Sequence, residues 1–283
     1  MLIVFCLGLG CAERGPTPGE LLESNTFLNI AHRGGRGRAP EHTMVAYEKA
    51  LVEGADVLEL DIHSTSDGVL IVSHDATIDR TTDGTGCIND MTYAELSAFD
   101  AGYRFTDDSG ETFPYRGMGI TVPKLEEVLD AFPDVPFVIE IKQPSVNECT
   151  EAPSIVEPFV DMLRHKEMID QVIGAGFSDP VVQQLRAYAP EMKTSLATGE
   201  VIEFAFLEAE SEASYVPPGR FLQVPTNFLG IDVLTEDFLA RARRFDMKVQ
   251  VWTINNVEEM QQLIDLGVDA IMTDYPNRLS ELL

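Results

Sequence analysis

Basic side chains are scarce in this sequence. Its 283 residues hold 20 Lys and Arg against 47 Asp and Glu, a formal net charge of −27 with a pI near 4.3. A generic nucleic-acid binder needs surplus cations to neutralise phosphates, so that class is excluded. Attraction to anionic lipid surfaces is disfavoured for the same reason. Cysteine is also sparse: of four, Cys6 and Cys11 belong to the amino-terminal run, leaving Cys87 and Cys149. Two residues make no disulfide framework and no C-x₂-C metal pair. They either bridge in an oxidising compartment or serve as separate small apolar residues. Tryptophan occurs once, at Trp252. No apolar run approaches the roughly 20 residues of a membrane-spanning helix, and there is no internal repeat. Order is not in question, because 45% hydrophobic residues and a mean hydropathy of −0.01 describe a chain able to bury a core.

The run Met1 to Cys11, MLIVFCLGLGC, followed by a polar Gly/Pro-rich stretch, reads as a secretory leader. Gly10 before Cys11 has the form of a lipoprotein processing site. The expectation is an exported protein, periplasmic or membrane-anchored, with residues 1–25 as leader and tether and Cys11 as the only membrane attachment. Residues 26–283 then form one domain.

From Phe27 onward, short strand-like runs alternate with helix-like stretches, the pattern of parallel strands joined by crossover helices. Nine runs read as strands: Leu28–Arg33, Val57–Ile62, Val69–His74, Pro136–Lys142, Gln171–Phe177, Lys193–Ala197, Phe221–Pro225, Lys248–Ile254 and Asp269–Asp274. Only a short link with a Ser66-Asp67-Gly68 turn precedes Val69–His74, too little for a parallel crossover. It must return as a hairpin arm, so eight strands remain for a TIM-type (β/α)₈ barrel. Helices are expected from Thr43 to Gly54, from Thr121 through TVPKLEEVLDAFP, from Thr235 to Arg244 and from Asn256 to Leu266, closed by Gly267. Residues 76–119 fit no βα unit and form an insertion above the barrel, after its second strand.

Strand alternation locates the chemistry. In VLELDIHS, Leu58, Leu60 and Ile62 share the helix-facing side, so Glu59 and Asp61 point inward. In PFVIEIKQP the same rule turns Glu140 and Lys142 inward. Barrel active sites form at the carboxyl ends of the strands, where three carboxylates would converge. Lys142 alone does not balance them, whereas one hard divalent cation, Mg²⁺ or Ca²⁺, does. Counting through the hairpin, Asp61 precedes Asp67 by six positions and Ser73 follows by six, which returns His74 to the level of Asp61. His32, ending the first strand, enters the same mouth. These two histidines suit a general acid and a general base. His42, His63 and His165 are read as structural. Arg33, Arg36 and Arg38, among Gly34, Gly35 and Gly37, form a positive rim suited to phosphate. Trp252 alternates inward and either walls the pocket or fills core.

These segments resemble the glycerophosphodiester phosphodiesterase family. The resemblance lies in AHRGGRGRAPEHT (Ala31–Thr43), GADVLELDIHSTSDGVLIVSHDATIDRTTDGTG (Gly54–Gly86), VIEIKQP (Val138–Pro144), VWTIN (Val251–Asn255) and GVDAIMTDYP (Gly267–Pro276). It implies a TIM-type barrel with a small insertion, a divalent metal on Glu59, Asp61 and Glu140, catalytic His32 and His74, and phosphate contact from Arg33 and Lys142. The departure is His42, where the family usually has Asn. The implied reaction is metal-dependent hydrolysis of a small glycerophosphodiester to sn-glycerol 3-phosphate and an alcohol. One alternative is a lysophospholipase D-like enzyme on the same barrel, for which Phe99, Tyr103, Phe105, Phe113 and Tyr115 would supply an apolar ramp. Another is an exported binding protein without turnover, though a binder needs no acid–base pair.

An anionic substrate must approach a repulsive surface, since Glu200, Glu203, Glu208, Glu210 and Glu212 lie in a stretch without Lys or Arg between Lys193 and Arg220. The rate at low substrate is therefore expected to rise as ionic strength increases to about 0.15 M. A steep fall in initial rate on adding salt would overturn this.

Overall fold

The computed structural model describes residues 15–142, Cys149 and residues 153–283. Met1–Cys11, read as a leader with Cys11 as its anchor, lies outside the described residues. The chain begins with helix α1 (Pro18–Glu23), started by a capping box between Thr17 and Glu20. This helix packs under the barrel: Leu22 is buried among barrel-interior residues such as Leu28 and Ile30. The expected tether through residue 25 is thus corrected, because an apolar side chain at position 22 gains more by closing the barrel floor than by staying in water.

Strand β1 (Leu28–Ala31), helix α2 (Met44–Val52, capped by Thr43) and strand β2 (Val57–Ser64) follow. Strand β3 (Leu70–Val72) pairs antiparallel with β2, with Ile62 opposite Val72. The turn depends on Gly68, whose φ of 79° favours a residue without a Cβ. The hairpin count holds in detail: Ser73 N donates to Asp61 O at 3.0 Å.

The insertion contains helix α3 (Tyr93–Leu96), and its Ile78, Ile88 and Leu96 form a small core with Ile71 of β3 and Val122. Cys87 and Cys149 form a disulfide, so of the two readings the bridge is the one found. Helix α4 (Leu125–Ala131) starts four residues later than Thr121. The reason is that residues up to Lys124 run beside β3, where Pro123 O accepts from Val72 N and Lys124 bridges Ile71.

The rest alternates as expected: β4 (Phe137–Ile141), α5 (Val156–His165), β5 (Val172–Ala175), α6 (Asp179–Tyr188), β6 (Lys193–Thr194), α7 (Thr198–Ala205), α8 (Ala209–Glu212) and β7 (Phe221–Val224). A small hairpin, β8 (Asn227–Phe228) with β9 (Ile231–Asp232), precedes α9 (Glu236–Arg244), β10 (Lys248–Val251), α10 (Val257–Leu266), β11 (Ala270–Thr273) and α11 (Pro276–Ser280). Parallel pairing runs β6-β5-β4-β2-β1-β11-β10-β7. A single parallel bridge, Ser195 to Phe221, closes the ring.

Alternation sorts the core as expected. Leu58, Leu60, Ile62, Ile139 and Ile141 pack outward with the helices, while Val57, Val138, Ile173 and Met272 fill the barrel interior. Among the described residues, no helix is long and apolar enough to cross a membrane.

Candidate active site

Neighbouring strands β2 and β4 pair with Asp61 opposite Glu140 and Glu59 opposite Val138, so three inward carboxylates meet at the carboxyl end of the barrel. One oxygen from each of Glu59, Asp61 and Glu140 lies within 4.8 Å of the others. Few fixed charges face them. Lys142 Nζ stands 2.8 Å from Glu140 Oε1 and 3.1 Å from Asp61 Oδ1. The Arg33 backbone N–H donates to Glu59 Oε2 at 2.6 Å. Burial and the Asp61 charge push Glu140 up to about 8 and also raise Glu59. Asp61 is held low against its burial by His42 and Lys142. Asp61 Oδ1 is buried without a well-aligned hydrogen bond. An all-oxygen donor set with an orphaned oxygen fits a hard divalent cation.

The two histidines come from different devices. β1 ends where Arg33 adopts a φ of 51°, and the turn leaves His32 beside the last residues of β11. His32 Nδ1 lies 2.6 Å from Asp274 Oδ1. A carboxylate can only accept, so Nδ1 carries the proton and the cavity-side Nε2 keeps a lone pair. Burial lowers the His32 pKa, only partly offset by Asp274. Asp274 is itself fixed by Arg36 at 2.9 Å and Asn255 at 2.8 Å. His74 follows the same plan, with Nδ1 2.7 Å from Asp75 and Arg80 behind it at 2.6 Å. His63 Nε2 donates to the His74 carbonyl at 3.2 Å and so holds its backbone.

The cavity at this mouth has a volume of about 590 Å³. His32, Arg33, Glu59, Asp61, His74, Glu140 and Lys142 line it, as does Trp252, which meets Phe177 edge to face. Arg33 Nε is buried without a hydrogen-bond partner, 3.9 Å from Asp61. The expected basic rim is narrower than its sequence suggests. Arg33 and Arg36 line the cavity, Arg36 while also bonded to Asp274, whereas Arg38 is held by Glu53 and does not line it.

Phe99, Tyr103, Phe105, Phe113 and Tyr115 do not line the cavity, contrary to expectation. Phe105 packs against Tyr115, Arg116 lies over Tyr103 and Phe113, and Phe99 packs on the small core of the insertion. The apolar wall comes instead from the β6–α9 side, through Leu196, Ile202, Phe206, Phe228, Ile231 and Phe238. The sequence reading did not single out Asp274 among the site residues, although its inward parity on the last strand marks it. His42, read as structural, touches Asp61 at 2.8 Å.

A shifted Glu140 has a consequence for stability. Its unfolded pKa is near 4.5 and its folded pKa about 8, so the fold favours the protonated form. That contribution is complete below 4.5 and is lost as pH rises to about 8. In chelator-treated protein, thermal melts are expected to show Glu140→Gln gaining stability over wild type across this window, with added cation closing the gap. A pH-independent difference between the two melts would overturn this.

The family model described as the glycerophosphoryl diester phosphodiesterase family matches residues 32–278. A glycerophosphodiester phosphodiesterase of Bacillus subtilis is 32% identical, covering 98% of this chain and 95% of its own length. A lysophospholipase D of Rattus norvegicus is 26% identical, covering 90% of this chain and 85% of its own. A solved glycerophosphodiester phosphodiesterase of Agrobacterium tumefaciens superposes with a TM-score of 0.72 at 26% identity, covering 89% of this chain and 98% of the other. With its (β/α)₈ barrel and this match over most of its length, the chain belongs to the glycerophosphodiester phosphodiesterase family.

Proposed function

We propose that this mouth hydrolyses glycerophosphodiesters to sn-glycerol 3-phosphate and an alcohol, using His32 and His74 as a proton-transfer pair. One observation carries the reading: both imidazoles line the cavity that holds the three carboxylates, each with Nδ1 bonded to its own aspartate. Glu59, Asp61 and Glu140 would hold one Mg²⁺ or Ca²⁺, which supplies charge stabilisation at the phosphoryl oxygens. Arg33 and Lys142 bind the phosphate and offset charge as it develops. His32, kept neutral by burial, takes the proton from the attacking hydroxyl, either water or the substrate's own glycerol oxygen; in the second case a cyclic phosphate forms, which water then opens to sn-glycerol 3-phosphate. As the phosphorus–oxygen bond to the alcohol breaks, His74, entering the step as an imidazolium paired with Asp75, gives its Nε2 proton to the departing oxygen, and exchange with solvent afterwards restores both rings. Trp252 and Phe177 wall the side facing the leaving group. The Cys87–Cys149 bridge supports an oxidising compartment and therefore export.

The wall opposite the carboxylates favours a second substrate class. It is apolar, and Phe206 and Ile231 are 69% and 57% exposed at its edge, which suits an acyl chain carried on the substrate's glycerol. A lysophospholipid would then be cleaved by the same residues.

His32→Ala and His74→Ala are each expected to lower kcat on glycerophosphocholine by about 10²–10⁴-fold. Chelation should abolish activity, and Mg²⁺ or Ca²⁺ should restore it. Wild-type-like hydrolysis by either variant would overturn the proton-transfer roles. Paired assays of glycerophosphocholine and lysophosphatidylcholine separate the two substrate classes. If acyl chains bind the apolar wall, Phe206→Ser with Phe228→Ser lowers kcat/KM for the lysolipid alone; equal effects on both substrates would exclude that use.

A further inference from the structure

His42 is 3% exposed and sits beside the carboxylate cluster without lining the cavity. Its backbone has a φ of 57°, and its N–H donates to Arg33 O at 3.1 Å, closing the loop between the two residues. Two contacts define the side chain. Nε2 lies 2.8 Å from Asp61 Oδ2, and Nδ1 lies 3.1 Å from the hydroxyl of Tyr47, a fully buried residue on α2. These contacts assign the protons. An ionised carboxylate only accepts, so Nε2 carries hydrogen and donates to Asp61. A neutral imidazole then presents Nδ1 as an acceptor, and the Tyr47 O–H supplies the hydrogen. Both His42 ring nitrogens, the Tyr47 hydroxyl and Asp61 Oδ2 are satisfied, and the row has one direction, from Tyr47 through His42 to Asp61.

The opposite oxygen of Asp61 is the one near Lys142 and without a well-aligned bond. Pinning Oδ2 therefore fixes the rotation of the carboxylate and leaves Oδ1 beside Lys142, which also contacts Glu140. We propose that His42 is a positioning residue, locking Asp61 in the orientation that binds a divalent cation. The proposal rests on reading Glu59, Asp61 and Glu140 as the cation site. The Gly34 backbone passes so close to Tyr47 that an added Cβ would lie 2.8 Å from its ring, so the phenol has little room to move. The row is thus anchored at both ends, by packing at Tyr47 and by the strand at Asp61. Hydrogen-bonding partners behind a ligand of this kind are typically worth about 10–100-fold in metal affinity.

The test is isothermal titration calorimetry of the full chain with Mg²⁺ and with Ca²⁺, alongside cation-free melts. His42→Ala is expected to raise the cation Kd by about 10–100-fold. His42→Gln, whose amide N–H can reach Asp61, should recover much of that loss. Tyr47→Phe should weaken binding less than His42→Ala, because Nε2–H survives. The cation concentration giving half-maximal activity should move by the same factors as Kd. If His42→Ala does not fold, the Gln and Phe variants carry the comparison. Unchanged Kd in the folded variants overturns the positioning role. No cation binding by the wild type overturns the reading of the three carboxylates, and the proposal with it.

Discussion

Three carboxylates facing one another at a barrel mouth are the constraint around which the rest of this molecule is arranged. Ionised together and out of water, Glu59, Asp61 and Glu140 oppose folding unless positive or donor groups converge on them. The chain has few cations to spare, and one cation with two neutral donors meets the cluster. Lys142 spans Asp61 and Glu140, the Arg33 amide meets Glu59, and His42 meets Asp61. Behind these, Arg33 and Arg80 share Glu41, whose carboxyl is held near 2 by these charges despite its burial. A cation at the cluster would complete what the side chains leave unbalanced.

The mouth is divided by the order of the strands. β1, β2 and β4 are neighbours, with β3 paired to β2, and the acids on β2 and β4, His32 just past β1, His74 just past β3 and Lys142 just past β4 all gather on one side. β6 and β7 lie across the ring, and their connections supply the apolar wall. The charged groups and the apolar wall are thus given to separate strands. The two histidines are oriented alike but by unrelated means, His32 through Asp274 on the last strand and His74 through its neighbour in sequence. Fixing Nδ1 in both cases turns the other ring nitrogen, Nε2, into the one free for proton transfer.

Much of this was legible in the chain because strand alternation is a local rule. Parity alone turned Glu59, Asp61, Glu140, Lys142 and Trp252 inward, and counting through the turn at Gly68 brought His74 level with Asp61. Helix caps at Thr43, Thr235 and Asn256 were readable for the same reason: a cap needs only its own next few residues. The start of α4 was misread because Val122 and Pro123 serve β3, a contact no helical periodicity encodes. The floor helix α1 was read as tether because its value lies in what Leu22 meets. Arg38 and the aromatics of the insertion were placed at the mouth by composition, which carries no direction.

Sequence by itself determined the eight-strand barrel, the inward acids and the presence of two histidines at one end, since each follows from spacing of two or 3.6 residues along a single element. Tertiary structure decided which partners complete them. Asp274 is 242 positions from His32, and His42 and Tyr47 reach Asp61 only because a left-handed residue folds their loop back onto β2. It also decided that the apolar wall comes from the β6–α9 side and not from the insertion. Such choices depend on register between distant strands and on competition among nearby carboxylates for scarce cations, and neither is written in the order of residues along one element.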